Sequence, residues 1–203
     1  MHNFNLNDSK QYFDVLKEIG NIGAGNATTA LAQMLQCKVD MKVPQVRLLE
    51  FKEVGETMGG EEQIMVGVYL LVEGDITGSM MFLLEEKAAH CLVAKLMQMP
   101  ANEDQPFSEM ELSALKEIGN IIVASYLNSL SVLTNMKIMP SIPDLCIDMA
   151  GAILSVPAIE FGELGDRILL IQTQFTDEIN LDGYFILIPD LESYDKILSA
   201  IGM

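Results

Sequence analysis

Leu16-Lys17-Glu18-Ile19-Gly20-Asn21-Ile22 occurs a second time, letter for letter, as Leu115-Lys116-Glu117-Ile118-Gly119-Asn120-Ile121. The two copies lie 99 positions apart in a chain of 203 residues, so the repeat divides the sequence near its middle. Seven identities at one offset do not arise by accident, and a repeat of this kind directs the reading toward a duplicated fold. The likeness continues downstream by residue class. Cys37-Lys38-Val39 meets Met136-Lys137-Ile138 at the same offset, and each opens an extended stretch.

Outward from the repeat, both halves predict the same succession of elements. A long helix is expected over residues 9–36 and again over 108–135. A β-rich stretch follows, carrying Val39, Met41, Val43, Val46 and Leu48 in one half and running from Ile138 to Ile147 in the other. A short helix is expected near 50–58 and near 148–160, the second weakened by Gly151 and Pro157. Ile64–Val72 and Ile76–Leu84 read as a hairpin around Glu73-Gly74-Asp75, and Arg167–Phe175 with Ile179–Ile188 read as its counterpart. A helix closes each half, over 86–98 and 190–201. The fold class expected is therefore α+β, with internal duplication and pseudo-twofold symmetry. A largely antiparallel sheet is shared by the halves and carries two long motif-bearing helices. One domain spans 1–203 in this reading, with halves 1–99 and 107–203 joined by the proline-bracketed polar linker 100–106.

The start of the second long helix is marked by Ser108 and Glu111, spaced for a capping box, and by Phe107 and Leu112, spaced for a hydrophobic staple. Asn7, Asp8 or Ser9 offers a looser cap for the first. At about 100° per residue, Asp14, Glu18 and Asn21 fall within roughly 60° of one another. Phe13, Leu16, Ile19, Ala27, Leu31 and Met34 gather nearly opposite, so the polar trio faces solvent. Ser113, Glu117 and Asn120 hold the same positions in the second copy, opposite Leu112, Leu115 and Ile118. Gly25 and Ala124 continue the outward face, leaving room for another protein to come close. Gly20, Gly23 and Gly25 each cost about 1 kcal/mol relative to alanine in a helix, which points to tight packing on the inner side, between the long helices. A lone exposed Glu or Asn is normally just a solvated residue. Here packing gives no reason to repeat both at solvent positions, and capping cannot explain asparagines several turns inside a helix.

Composition narrows the classes of function. The formal charge of −17 excludes the clustered basic surface that nucleic-acid binding needs and disfavours anionic membranes. It leaves a protein as the natural partner. No apolar run approaches the roughly 20 residues of a membrane span, and the start lacks the regions of a signal peptide. Three scattered cysteines, Cys37, Cys91 and Cys146, fit buried thiols of a reducing cytoplasm rather than a disulfide framework or zinc site. Only His2 and His90 are present, which leaves no basis for a Ser-His-Asp triad or a histidine metal site. The glycines after Gly20 lie within a helix and lack the Gly-Lys-Ser/Thr of a phosphate loop.

The doubled pattern Asp/Ser-x-x-x-Glu-x-x-Asn resembles the signature of the CheC/CheX/FliY phosphatases, and Glu18 through Ala27 resembles the first-helix sequence of the CheC type in particular. The likeness extends over the whole chain. It implies hydrolysis of the aspartyl phosphate of a CheY-type chemotaxis response regulator. Asn21 and Asn120 would orient the attacking water, Glu18 and Glu117 would contact the partner's active-site lysine, and Asp14 and Ser113 would support binding. It implies no metal or cofactor on this chain, the Mg²⁺ belonging to the response regulator, and a CheD-type receptor deamidase as a second partner. The alternative is a non-catalytic adaptor that holds either partner on the same helices. Ile122, Val123 and Tyr126 make the second copy bulkier, an expectation of unequal sites.

Overall fold

The computed structural model describes residues 6–41, 45–161, 167–176 and 180–200. The first half runs α1 (Leu6–Leu35), β1 (Asp40–Met41), β2 (Gln45–Glu50), α2 (Phe51–Thr57), β3 (Ile64–Gly74), β4 (Gly78–Glu85) and α3 (Glu86–Met97). The second half runs α4 (Glu109–Thr134), β5 (Ile138–Pro140), β6 (Asp144–Met149), α5 (Ala150–Phe161), β7 (Arg167–Thr176), β8 (Asn180–Pro189) and α6 (Leu191–Ala200). The order of elements is the same twice, and residues 99–106 between the halves are exposed.

All eight strands join one antiparallel sheet, in the order β1-β7-β8-β4-β3-β5, with β2 also on β7 and β6 also on β3. The halves thus exchange strands: β1 and β2 pair with the second hairpin, β5 and β6 with the first. The register repeats as well. Gln45 faces Gln172 as Asp144 faces Tyr69, and Met41 faces Phe175 as Pro140 faces Val72. Phe82 pairs with Phe185, its own counterpart, where β4 meets β8 at the centre, and the rings lie 5.0 Å apart. Corresponding residues are 99 apart up to β6 and 103 apart in the hairpins, because α5 and its connection are longer than α2 and its own.

Both faces of the sheet are covered, which is why Met80-Met81-Phe82-Leu83-Leu84 is apolar without alternation. Met80, Phe82 and Leu84 join Val66, Val68 and Leu70 under α1, α3 and α4. Met81 and Leu83 point the other way, to Val54 of α2, Met58 just after it, and Ile153 and Leu154 of α5. Burial of Ala150, Ile153 and Leu154 carries α5 through Gly151 and Pro157, so tertiary packing overrides the local breakers.

Two local expectations are displaced. The helix α1 already runs at Leu6, so Asn7, Asp8 and Ser9 lie inside it rather than at its cap. The first hairpin turns at 75–77 instead of Glu73-Gly74-Asp75. The cause is β5, which pairs with Val72, Glu73 and Gly74 and holds them in the strand. Gly74 has φ near 120°, and a Cβ there would lie 2.2 Å from the Lys137 carbonyl oxygen, so the sequence must be glycine at that crossing. The cysteines are free and half-buried rather than fully buried, with Cys146 Sγ 3.5 Å from the Gly67 carbonyl and its thiol pKa pushed up by burial. No helix among the described residues is long and apolar enough to cross a membrane.

The repeated motif is seated by its glycine. A Cβ on Gly119 would come within 2.4 Å of the Val68 side chain on β3, so α4 rides directly on the sheet at that point. Around Gly25, by contrast, nothing lies within 4 Å of a Cβ. Gly119→Ala is expected to lower stability by about 2 kcal/mol through overpacking, whereas Gly25→Ala is expected to raise it by up to about 1 kcal/mol through helix propensity. Denaturant midpoints of the two variants check this, and a neutral Gly119→Ala would contradict the close approach.

Candidate functional site

The second site begins at the start of α4. Ser108 Oγ accepts a hydrogen bond from the Glu111 backbone N–H at 3.4 Å, and Glu111 Oε2 accepts from the Ser108 backbone N–H at 2.7 Å. The capping box expected from the sequence is thus formed. These bonds hold the Glu111 carboxyl below its ordinary pKa, the backbone N–H of Ser108 contributing most. Phe107 stacks face to face on buried His90 of α3, with centroids 3.7 Å apart.

From this start the helical turn sorts the motif. Leu115 and Ile118 are buried, Gly119 meets β3, Ser113 and Glu117 are exposed, and Asn120 is half-buried. On α1, Glu18 is exposed, Gly20 is buried and Asn21 is half-buried. Asp14 lies on the same helix, its side chain outside the described residues, as are those of Phe13, Leu16, Lys17 and Ile19. Ala27 and Leu31 are buried as expected, and Met34 packs against the same core. Each Glu-x-x-Asn pair therefore sits on one helix surface, three residues apart. The two pairs occupy two helices that pack against each other.

The packing between α1 and α4 corrects one expectation. Ile122, Val123 and Tyr126 are fully buried, so the bulk that follows Asn120 does not crowd the second site. It fills the interior. A Cβ on Gly23 would lie 2.4 Å from the Tyr126 ring, which occupies the space glycine leaves. At the corresponding positions the sizes are reversed: Ile122 answers Gly23, and Ala27 answers Tyr126. The two helices are unequal because they complement each other. Asn26 Nδ2 adds a hydrogen bond to Ser129 Oγ at 2.8 Å, and Ser129 Oγ donates to the Ser125 carbonyl at 2.8 Å.

A real difference between the sites lies elsewhere. Asn21 Oδ1 is buried without a hydrogen-bond partner, and no such atom is found at Asn120. Sequence reasoning also passed over Val132, which falls on the outward phase of α4 yet is apolar and 82% exposed. Its phase and its counterpart Gln33 were both readable. Among the described residues no group of three or more His, Cys, Asp or Glu is placed to hold a metal ion.

Two stretches of this chain, residues 14–47 and 110–147, match the sequence pattern of the CheC-like family, and both include a Glu-x-x-Asn pair. The chain belongs to that family. It is 35% identical over 198 residues to the CheY-P phosphatase CheC of Bacillus subtilis, covering 95% of each chain. Its fold resembles that of Thermotoga maritima FliY, with a TM-score of 0.74 at 22% identity over 94% of this chain and 96% of that one. It also resembles a chain of the CheX-CheY-BeF3-Mg complex from Borrelia burgdorferi, with a TM-score of 0.55 at 16% identity over 82% of this chain and 94% of that one.

The capping box makes the anchoring of the second site pH-dependent. A carboxyl whose folded pKa lies below its unfolded value stabilises fully above the unfolded value, here 4.5, and loses that contribution as pH falls through the lower folded value. Glu111→Gln is therefore expected to be less stable than the parent at neutral pH, with the two converging in acid below pH 4.5. Thermal midpoints across that range test this, and a gap independent of pH would contradict the box as the cause.

Proposed function

We propose that this protein hydrolyses the aspartyl phosphate of a CheY-type response regulator, using Glu18 with Asn21 and Glu117 with Asn120. One observation carries the reading. In both copies of a single motif the glycine is buried, as is Ile118 in the second, while Glu is exposed and Asn only half-buried, where packing does not require them. The relative named CheY-P phosphatase, at 35% identity over nearly the whole chain, supports it.

An acyl phosphate is already reactive, so a catalyst need supply little beyond an in-line water and neutralisation of charge. The amide of Asn21 or Asn120 both donates and accepts hydrogen bonds and does not titrate, which suits it to hold such a water. Water oxygen attacks phosphorus, and the bond from phosphorus to the aspartyl oxygen breaks. The partner's carboxylate and inorganic phosphate are released, with the water's proton passing to phosphate or solvent. Glu18 and Glu117 engage the partner's active-site lysine and fix the docking geometry, with Asp14 and Ser113 adding contacts. The Mg²⁺ that neutralises the phosphoryl oxygens belongs to the partner, and no covalent intermediate forms on this chain. The reaction is assigned to the cytoplasm, and a CheD-type deamidase as second partner rests on the family resemblance.

Purified protein is expected to accelerate loss of phosphate from a phosphorylated response regulator. Asn21→Ala combined with Asn120→Ala is expected to lower that rate by about 100-fold, toward the partner's own decay, while binding stays measurable. Each single variant should retain the activity of its intact site. Decay unchanged by the parent protein would sink the enzyme reading and leave an adaptor that only holds the response regulator.

A further inference from the structure

A groove of about 340 Å³ runs between α1 and α4. Ile22 and Asn26 line it from α1, and Ser125, Asn128, Val132 and Leu133 from α4. Val132 is 82% exposed and Leu133 is 38% exposed. We propose that this groove seats an apolar surface of the phosphorylated response regulator docked at Glu18 and Asn21, making Val132 a specificity determinant of the first site alone. The proposal rests on the phosphatase reading above.

Position assigns the groove to the first site. Ile22 follows Asn21 directly and stands four residues after Glu18, so the groove opens within one helical turn of that pair. Along α4, Val132 is twelve residues beyond Asn120, or about 18 Å of helix, too far to adjoin the second pair. The internal repeat supplies the comparison. At the corresponding places beside the second site stand Thr29 for Asn128 and Gln33 for Val132, and both Thr29 and Gln33 are exposed. The outermost wall is apolar at one site and polar at the other.

Charge selects the occupant. The chain carries a formal charge of −17, yet none of the described residues lining the groove is charged. An aspartyl phosphate is anionic, and a partner presenting one is repelled by most of an acidic surface. A neutral window beside Glu18 and Asn21 lets such a partner approach, and Val132 and Ile22 reward apolar contact there.

Val132→Glu tests the assignment in two backgrounds, with phosphorylated receiver domain as substrate. With only the first site intact (Asn120→Ala), KM is expected to rise about tenfold with kcat little changed, as for a buried interface residue replaced by a charge. With only the second site intact (Asn21→Ala), KM is expected to stay within about twofold, which also reports that the fold survives. Equal changes in both backgrounds, or none, would overturn the proposal. So would unchanged KM together with loss of a self-association present in the parent, since a second copy would then occupy the groove. If neither background shows turnover, the phosphatase reading is what fails. Titration of beryllofluoride-loaded receiver domain with Mg²⁺ onto Asn120→Ala, with and without Val132→Glu, then decides the docking question, weaker binding supporting it and equal binding refuting it.

Discussion

Gly119 has no side chain where α4 crosses β3, and that absence sets how deeply the helix rides on the sheet. With the backbone held against Val68, the 100° turn per residue leaves little freedom. Ile118 enters the core, and Glu117 and Asn120 are turned away from it. One four-residue motif thus acts as packing anchor and carries the residues of the proposed site. A methyl group at Gly119 would lift the helix and shift Glu117 and Asn120 together, so the proposed site depends on a single packing contact.

The exchange of strands extends that constraint to the whole chain. The strand under α4, a helix of the second half, is β3 of the first, and β5 and β6 complete the sheet beside it. The first half in turn gives β1 and β2 to β7. Neither motif helix finds its full support within its own half. The central pair Phe82 and Phe185, with Tyr126 stacked 5.6 Å from Phe185, places aromatic bulk beneath the long helices. The two exposed pairs are therefore held in a fixed relation by a continuous core, without any cross-link.

Much of this could be read from local pattern. The repeat announced the duplication, helical phase separated Glu18 and Glu117 from Leu115 and Ile118, and Ser108 with Glu111 marked a helix start that forms as expected. What escaped depended on distant partners. The exchange of β1, β2, β5 and β6 leaves no trace in periodicity, because an edge strand looks the same whichever hairpin it joins. The displaced first turn has the same origin, since β5 captures Glu73 and Gly74. The bulk at Ile122, Val123 and Tyr126 is plain in the sequence, but its inward direction depends on the small residues of α1 that it meets. Val132 failed to register because a single apolar residue on a polar face is ordinary unless its repeat counterpart is compared.

Identical heptapeptides consequently have different surroundings. Gly23 against Tyr126 shows that the two long helices differ in size where they meet, in complementary fashion, which fills the core and leaves the outer surfaces free to differ. Two outer differences follow. Val132 stands where the other helix has Gln33, and the Asn21 amide oxygen is buried unpaired whereas none is found so at Asn120. A buried, unpaired carbonyl costs about 1–3 kcal/mol. On the proposed reading, turning that amide outward to meet a donor of the docked partner would relieve the penalty. On that reading the groove wall at Val132 and the amide of Asn21, the residue before groove-lining Ile22, bear on one docking event.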